Sequence, residues 1–358
     1  MTIAFIAALF KKERASSHTY TCGELPGVSI VIPFRNEEHN LKALLSSIEN
    51  QSYSGAFEVI FVNDRSDDKG PEIIKEYSKS KQSEKFSVKL IDLEKPDNKL
   101  TSKQQALDIG ISYAAYPLVA FTDADMILKQ QWLESLTKNQ LSSGADLIFG
   151  HTAVRAQAKG ALAKLESFQL AFLFSYACGF SKLNLMGSCM GNNLLVTKKS
   201  YLKCGGQRAV GYNIVEDRAL MGLMRKNGFK TKAAETFCVT AITHPSTSLF
   251  QFWQQMRRWA AGGLRLGEGL FAAGLLLATQ NFLLILSTTG LMPPLITILT
   301  YVNFFLTWIF LTIAFKKNGS TSSPLYYPIY FIFLNIMAIV FALSLIIKPR
   351  IIWKGRKV

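Results

Sequence analysis

The stretch VAFTDADMIL, residues 119–128, ends an apolar run on two carboxylates, Asp123 and Asp125, with one small residue between them. On an extended backbone residues i and i+2 face the same way, so the two charges would repel unless something positive lies against them. A cationic partner is expected there. The run itself, LVAFT (118–122), is the fourth of its kind, after VSIVI (28–32), FEVIFV (57–62) and SVKLID (87–92). Pro33 stops the first, and Asn36 stands where it would cap a helix whose Leu41, Leu44, Leu45 and Ile48 recur at helical spacing. The second ends in NDRSDD and leads to a helix at 71–80. The third precedes TSKQQALDIGISYA, where Thr101 and Gln104 are spaced as a capping box.

Four strands alternating with helices predict an α/β domain with a mainly parallel sheet, right-handed crossovers and a ligand site beyond the carboxyl ends of the strands. The polar clusters Pro33 to Glu37, Asn63 to Asp67 and Asp123 to Asp125 fall at those ends. Several loops therefore converge on one crevice.

Away from this part the composition changes. Of 358 residues 49% are hydrophobic, high for a soluble protein, and the excess lies beyond about residue 269. Segments 269–291, 295–315 and 325–347 each reach the roughly 20 apolar residues that a bilayer span needs. The N-terminal MTIAFIAALFKK is too short to span and reads as a surface anchor or the remnant of a longer one. The net charge of +15 comes with no nucleic-acid motif; Arg257, Arg258, Arg265, Lys316, Lys317, Lys348, Arg350, Lys354, Arg356 and Lys357 flank the apolar segments. That distribution suits an anionic membrane surface and argues against nucleic acid as partner. Five scattered cysteines without a C-x-x-C pair suit a reducing cytoplasmic face. The expected organisation is an anchor and linker (1–27), a catalytic α/β domain (28–245), an amphipathic interfacial helix (246–268) and a membrane region of two to three transmembrane helices with a basic tail (269–358).

Hard oxygen ligands at the spacing of Asp123 and Asp125 suit Mg²⁺ or Mn²⁺, held by one or two carboxylates plus substrate phosphates. Alone, D-x-D is a weak signal that more often marks solvated loop charges or caps; its position after the fourth strand of an α/β alternation raises the metal reading. Asp64, after the second strand, is placed to accept hydrogen bonds from a nucleobase or ribose, while an Asx-turn built by Asp64, Ser66 and Asp67 is the competing account. NIVEDRALMGLMRKNGF reads as a helix stopped by Gly228, with Glu216 and Asp217 complementing the helix dipole in its first turn. Two adjacent carboxylates leave one free to face inward as a general base. In LFQFWQQMRRWAAGGLRL (249–266), Leu249, Phe252, Met256 and Trp259 share a face, as in a helix lying in a membrane interface. Amphipathicity does not explain the Q-x-x-R-W spacing of Gln255, Arg258 and Trp259.

In their order and spacing, VSIVIPFRNEE, VNDRSDD, KQQALDIGI, FTDADM, VEDRAL and QMRRW resemble the family 2 glycosyltransferases of the GT-A fold over about residues 28–260. The tail WKGRKV resembles the ending of membrane enzymes akin to ceramide and carotenoid glucosyltransferases. The resemblance implies inverting transfer of a sugar from a nucleotide diphosphate donor, a UDP-hexose in the first instance, by a metal-dependent hexosyltransferase. It implies that Asp64 contacts the base and Lys103 the nucleotide or pyrophosphate. Asp123 and Asp125 would bind the nucleotide and its Mg²⁺ or Mn²⁺, and Asp217, with Glu216 beside it, would deprotonate the acceptor. Gln255, Arg258 and Trp259 would bind the diphosphate and frame the acceptor site. Two positions depart from the common pattern: Asn63 where aspartate is frequent, and Arg65 where glycine is common.

Nucleotide sugars are cytoplasmic, so the catalytic domain of a multi-pass cell-membrane protein would face the cytoplasm. Three complete spans would carry the basic tail to the far side, against the positive-inside tendency. A diphosphate clamp on an interfacial helix suits a membrane-lipid hydroxyl accepting one hexose, glucose first. The alternative is a processive polysaccharide synthase, which shares Q-x-x-R-W. A nucleotidyltransferase is disfavoured because no glycine-rich phosphate loop follows the first strand.

Overall fold

The β-branched runs form strands where the sequence predicts them: β1 (Val28–Phe34), β2 (Phe57–Asn63), β3 (Phe86–Asp92) and β4 (Leu118–Thr122). The computed structural model describes residues 2–10, 25–80, 85–265, 279, 282–336, 352–353 and 356–357. Shorter strands follow: β5 (Ile127–Leu128), β6 (Leu147–Phe149), β7 (Thr152–Val154), β8 (Asn193–Thr197), β9 (Thr231–Ala233) and β10 (Ala241–Thr243). The main sheet has the order β3-β2-β1-β4-β8-β6-β9, and a small second sheet has the order β5-β10-β7. β1 to β4 are mutually parallel; β8 is antiparallel to both β4 and β6.

β1, β2 and β4 are buried on both faces, which is why they read as continuous apolar runs rather than as an alternation. Val28, Ile30, Ile32, Val59 and Phe61 share a core with Leu41, Leu44 and Ile48 of the helix Glu38–Glu49. Each such side chain contributes about 1.5–3 kcal/mol on burial. On the other face the helix Ser102–Tyr113 meets the sheet at Gly110, where a Cβ would lie 2.3 Å from Val31 Cγ1. Only glycine lets the helix settle that close.

Two local expectations change. β1 does not stop at Pro33 but runs on to Phe34, pairing with β2 to the end. Its pairing with β4 ends at Val31, so the missing N–H of Pro33 removes no rung on that side. Asn36 does not cap the following helix; it has φ +53°. Its N–H donates to Ser66 Oγ (3.1 Å) and its Oδ1 accepts from Asp67 N–H (2.8 Å), which ties the first strand-end loop to the second.

The sheets belong to one compact unit, made of Lys12–Arg155 and Ser188–His244; a second comprises Met1–Lys11, Ala156–Gly187 and Pro245–Val358. The segment 156–187, which the sequence reading kept within 28–245, thus contributes its 22-residue helix Ala161–Lys182 to the second unit. There Phe5, Leu9, Phe168, Phe172, Phe310, Phe315 and Tyr330 form an aromatic-rich core. The N-terminal run is a helix, Thr2–Phe10, that packs on the helix Pro294–Lys317. Thr2 Oγ1 donates to Asn303 Oδ1 (3.0 Å), and Lys317 Nζ donates to the Leu9 carbonyl.

Among the described residues Pro294–Lys317 is the one helix long and apolar enough to cross a membrane; Pro324–Ile336 is apolar but shorter. Most of the expected segment 269–291, the end of 325–347 and much of the basic tail lie outside the described residues. Within the tail, Ile352–Trp353 pairs antiparallel with Arg356–Lys357.

Candidate active site

β4 and β8 are antiparallel with Thr122 opposite Asn193, so the end of one strand meets the beginning of the other. This brings Asp123 beside the segment that carries Gly191. The helix Ser102–Tyr113 starts at the same end of the sheet, with both halves of the Thr101–Gln104 capping box formed. Lys103, in its first turn, reaches Asp123 at 2.8 Å (Oδ1) and 3.0 Å (Oδ2) and Glu216 Oε1 at 3.2 Å. Lys103 is thus the positive group that lies against Asp123.

Glu216 and Asp217 open the helix Glu216–Lys226, which ends before Gly228 as expected. Asp217 Oδ1 accepts from the Arg218 N–H (2.7 Å), and Gly191 donates its backbone N–H to the same carboxylate. Burial and then the charge of Glu216 push the Asp217 carboxyl up to about 6, against the opposing pull of Lys103. Burial alone would lower the Lys103 ammonium; Asp123, Glu216 and Asp217 together hold it above its ordinary range. The cluster thus contains a carboxylate that exchanges protons near neutrality beside a fixed positive charge, a combination suited to general-base chemistry next to an anionic leaving group.

Asp64 is buried at the end of β2. Beside it, Asn63 Oδ1 accepts from Ser66 N–H (2.9 Å), three residues on, while its Nδ2 donates to Asp92 Oδ1 (2.8 Å). Asp68 accepts from the N–H groups of Glu38 (2.8 Å) and Gly70 (3.0 Å). Asp64 meets two guanidinium groups: Arg35, at 3.9 Å, and Arg65, which is hydrogen-bonded to Oδ1. Arg65 has φ +55°, a left-handed conformation, which accounts for glycine being common at this place in the pattern.

Gln255, Arg258 and Trp259 lie on the helix Leu249–Arg265, in the other compact unit. Their i, i+3, i+4 spacing puts them on one side of it. The expected apolar face is only partly buried: Phe252 packs on Phe333, while Leu249 is exposed. Arg257, one of the basic residues expected at the membrane surface, is buried. The helix is tied to Ala161–Lys182 by Glu166, which accepts from Ser246 N–H (2.7 Å) and Oγ (3.2 Å).

Asp123 and Asp125 are half-buried and flank buried Ala124, but they stand in a tight turn, closed by the Met126 N–H donating to the Asp123 carbonyl (3.3 Å), and not on the extended backbone that the spacing assumed. Among the described residues no three or more His, Cys, Asp and Glu side chains gather into a metal cage. One or two carboxylates with hard oxygens nevertheless fit Mg²⁺ or Mn²⁺, which complete their shells with water and substrate phosphate. The sequence reading gives Gln104 only as a cap and gives Gly191 and Arg35 no role in the site; their local signals say nothing of the distant residues they meet.

The comparisons agree with this architecture. Mannosyltransferase PcManGT from Pyrobaculum calidifontis, solved in complex with GDP-Man and Mn²⁺, superposes with a TM-score of 0.60, covering 96% of this chain and 92% of that one. At 14% identity the likeness is one of fold: α/β, GT-A-like, with a mostly parallel sheet. Ceramide glucosyltransferase 3 of Caenorhabditis elegans is 23% identical over 99% of this chain and 77% of its own. A poly-β-1,6-N-acetyl-D-glucosamine synthase of Staphylococcus epidermidis is 28% identical over 67% of this chain and 55% of its own. The chain spans about half the length of several curated relatives that it matches. A parallel sheet ending in an acidic pair, a lysine against Asp123 and the buried carboxyl of Asp217 close by coincide with a family profile that matches residues 1–358, and the chain belongs to glycosyl transferase family 21.

Proposed function

We propose that this protein is an inverting hexosyltransferase that moves a sugar, glucose first, from a nucleotide diphosphate donor to a membrane-lipid hydroxyl at the cytoplasmic face. The observation that carries this reading is geometric: Lys103 bridges Asp123 and Glu216, and the neighbouring Asp217 carboxylate is packed against Gly191 and accepts from the Arg218 N–H. Poised there, Asp217 takes the acceptor hydroxyl's proton as the oxygen attacks the anomeric carbon, and the nucleotide diphosphate departs from the opposite face with its bonding electrons. Lys103 turns its charge toward the departing diphosphate. Asp123 and Asp125 would hold Mg²⁺ or Mn²⁺, which supplies Lewis-acid neutralisation of that diphosphate. Asp64, between Arg35 and Arg65, is assigned to the nucleobase or ribose. Gln255, Arg258 and Trp259 are assigned to the diphosphate, with Arg258 as a bidentate donor.

The lipid acceptor is favoured by the ceramide glucosyltransferase relative and by the exterior of the second unit. Along Pro294–Lys317, Thr300, Thr307, Phe310, Leu311, Ala314 and Phe315 are buried. Leu295, Ile298, Val302, Phe305 and Ile309, spaced by three and four, form an exposed apolar stripe. At 1.5 Å per residue 24 residues reach about 36 Å, enough for a hydrocarbon core of roughly 30 Å. Such a stripe on a helix of that length suits contact with lipid.

The alternative, processive polysaccharide synthesis, is favoured by the poly-β-1,6-N-acetyl-D-glucosamine synthase relative. Membranes carrying the protein or its Asp217→Asn variant, incubated with radiolabelled UDP-glucose, UDP-N-acetylglucosamine and GDP-mannose and with Mg²⁺ or Mn²⁺, discriminate the two. Label in organic-extractable lipid only with the intact protein supports lipid transfer; label in insoluble polymer supports the alternative. Donor-independent background with every nucleotide sugar would sink both.

A further inference from the structure

The Gln104 side chain is completely buried and its amide is fully used. Oε1 accepts from the N–H of Thr101 (3.0 Å), the back half of the capping box, and from the N–H of Asn213 (3.0 Å). Nε2 donates to Gln207 Oε1 (3.1 Å) and to the Gly211 carbonyl (2.7 Å). An amide offers two acceptor and two donor positions, and all four are filled. A capping box needs one of them; the other three hold residues 207–213, more than a hundred positions away in the chain.

That segment leads directly to the catalytic helix. Asn213 Oδ1 accepts from Val215 N–H (2.9 Å), and Val215 is the residue before Glu216 and Asp217. The far side of the support is also fixed. Tyr201 Oη accepts from Gln207 N–H (3.0 Å) and donates to Asp108 (3.3 Å), on the same helix as Lys103. Arg208 closes the ring with an ion pair to Asp108 (2.8 Å). A chain of hydrogen bonds therefore joins the start of the Lys103 helix to the turn that sets Asp217.

We infer that Gln104 is a positioning residue for the transfer reaction: its amide sets the Asp217 helix against Lys103 and so fixes the base relative to the positive charge. The inference rests on the reading of Asp217 as general base. Gln104 touches no reacting atom; it acts through Asn213 and Gly211. An ordinary capping residue would leave the distant turn alone, and an ordinary core residue would not need an amide. Buried polar networks of this kind specify one geometry when every member is satisfied.

The test is Gln104→Met, which keeps the volume and removes all four hydrogen bonds. The difference in melting temperature between chains with Asp217 and with Asp217→Asn, followed from pH 4 to 8, reports where that carboxyl ionises and needs no substrate. With Gln104→Met the ionisation window moves down toward the ordinary carboxylate range as Asp217 gains water. With the nucleotide sugar that supports transfer, kcat falls about tenfold or more while donor KM changes little. An unmoved window together with unchanged turnover per folded molecule, with only a lower melting temperature, reduces Gln104 to a cap and overturns the inference. If Gln104→Met does not fold, Gln207→Met, which leaves the capping box and the Asn213 bond, gives a smaller shift in the same direction or overturns it. Should Asp217→Asn retain wild-type turnover, the base assignment itself fails, independently of the melting result.

Discussion

Gly191 lies against Asp217 so closely that a Cβ on the glycine would be 2.7 Å from both the Cβ and the Oδ2 of the aspartate. No flexible side-chain end lies between them to yield; the obstacle is the carboxylate itself. Gly191→Ala is therefore expected to displace Asp217, with turnover down by at least about tenfold, and a modest fall in melting temperature of the size that small overpacking gives. Turnover equal to wild type in a crystal structure with Asp217 unmoved would refute the assignment.

Asp217 itself links rate to pH and stability to pH in opposite senses. Its ordinary value is 3.8 and its folded value about 6, so between these pH values the folded chain holds a proton that the unfolded chain has lost. Stability from this group falls as pH rises from about 4 to 6 and stays lower above, while the basic form needed for catalysis accumulates over the same range. Asp217→Asn should abolish transfer and melt higher than wild type at pH 7 to 8, with the difference vanishing near pH 4. The acidic limb of the wild-type rate profile should fall near pH 6.

Lys103 shares Asp123 with any metal that binds there. Lys103→Met should tighten binding of Mn²⁺ alone, read by the loss of the free-ion paramagnetic resonance signal, and raise the donor KM. It should also move the acidic limb upward, because the lysine charge opposes the rise of the Asp217 pKa. Chelation with EDTA should stop transfer in both proteins. Unchanged Mn²⁺ binding in the variant would count against Asp123 as a ligand.

Arg65 pairs with Asp64 from a left-handed backbone at φ +55°. Arg65→Ala keeps the backbone cost and loses the pair, whereas Arg65→Gly also relieves a strain of about 1–2 kcal/mol. Thermal melting should rank glycine above alanine at this position, while both variants weaken nucleotide binding measured by calorimetry with UDP. Equal stability of the two would contradict the assigned conformation.

The exposed stripe on Pro294–Lys317 gives a test of membrane residence. Val302→Glu, in the middle of that stripe, should shift the protein from the membrane pellet to the soluble or aggregated fraction, since a carboxylate at mid-depth costs about 2.5–3.5 kcal/mol. Thr307→Val, on the buried side, should leave partitioning unchanged.

Much of this was legible in the residues themselves because it is local. Continuous β-branched runs gave four strands, helical spacing and the Thr101–Gln104 box gave the Lys103 helix, and Gly228 ended the Asp217 helix. Period, capping and dipole act within a few residues, so the chain alone determined them. Pro33 and Asn36 misled because their roles are set by neighbours about 30 residues away: β1 is held through Pro33 by β2, and Asn36 bonds to the next loop. The identity of the cation at Asp123, the pairing of Asp64 with Arg35, the need for glycine at Gly191 and the work of the Gln104 amide were decided only by tertiary structure. Each depends on segments 20 to more than 100 residues apart, brought together by strand pairing such as Thr122 with Asn193, and sequence spacing carries no record of which distant groups a fold will bring within hydrogen-bonding reach.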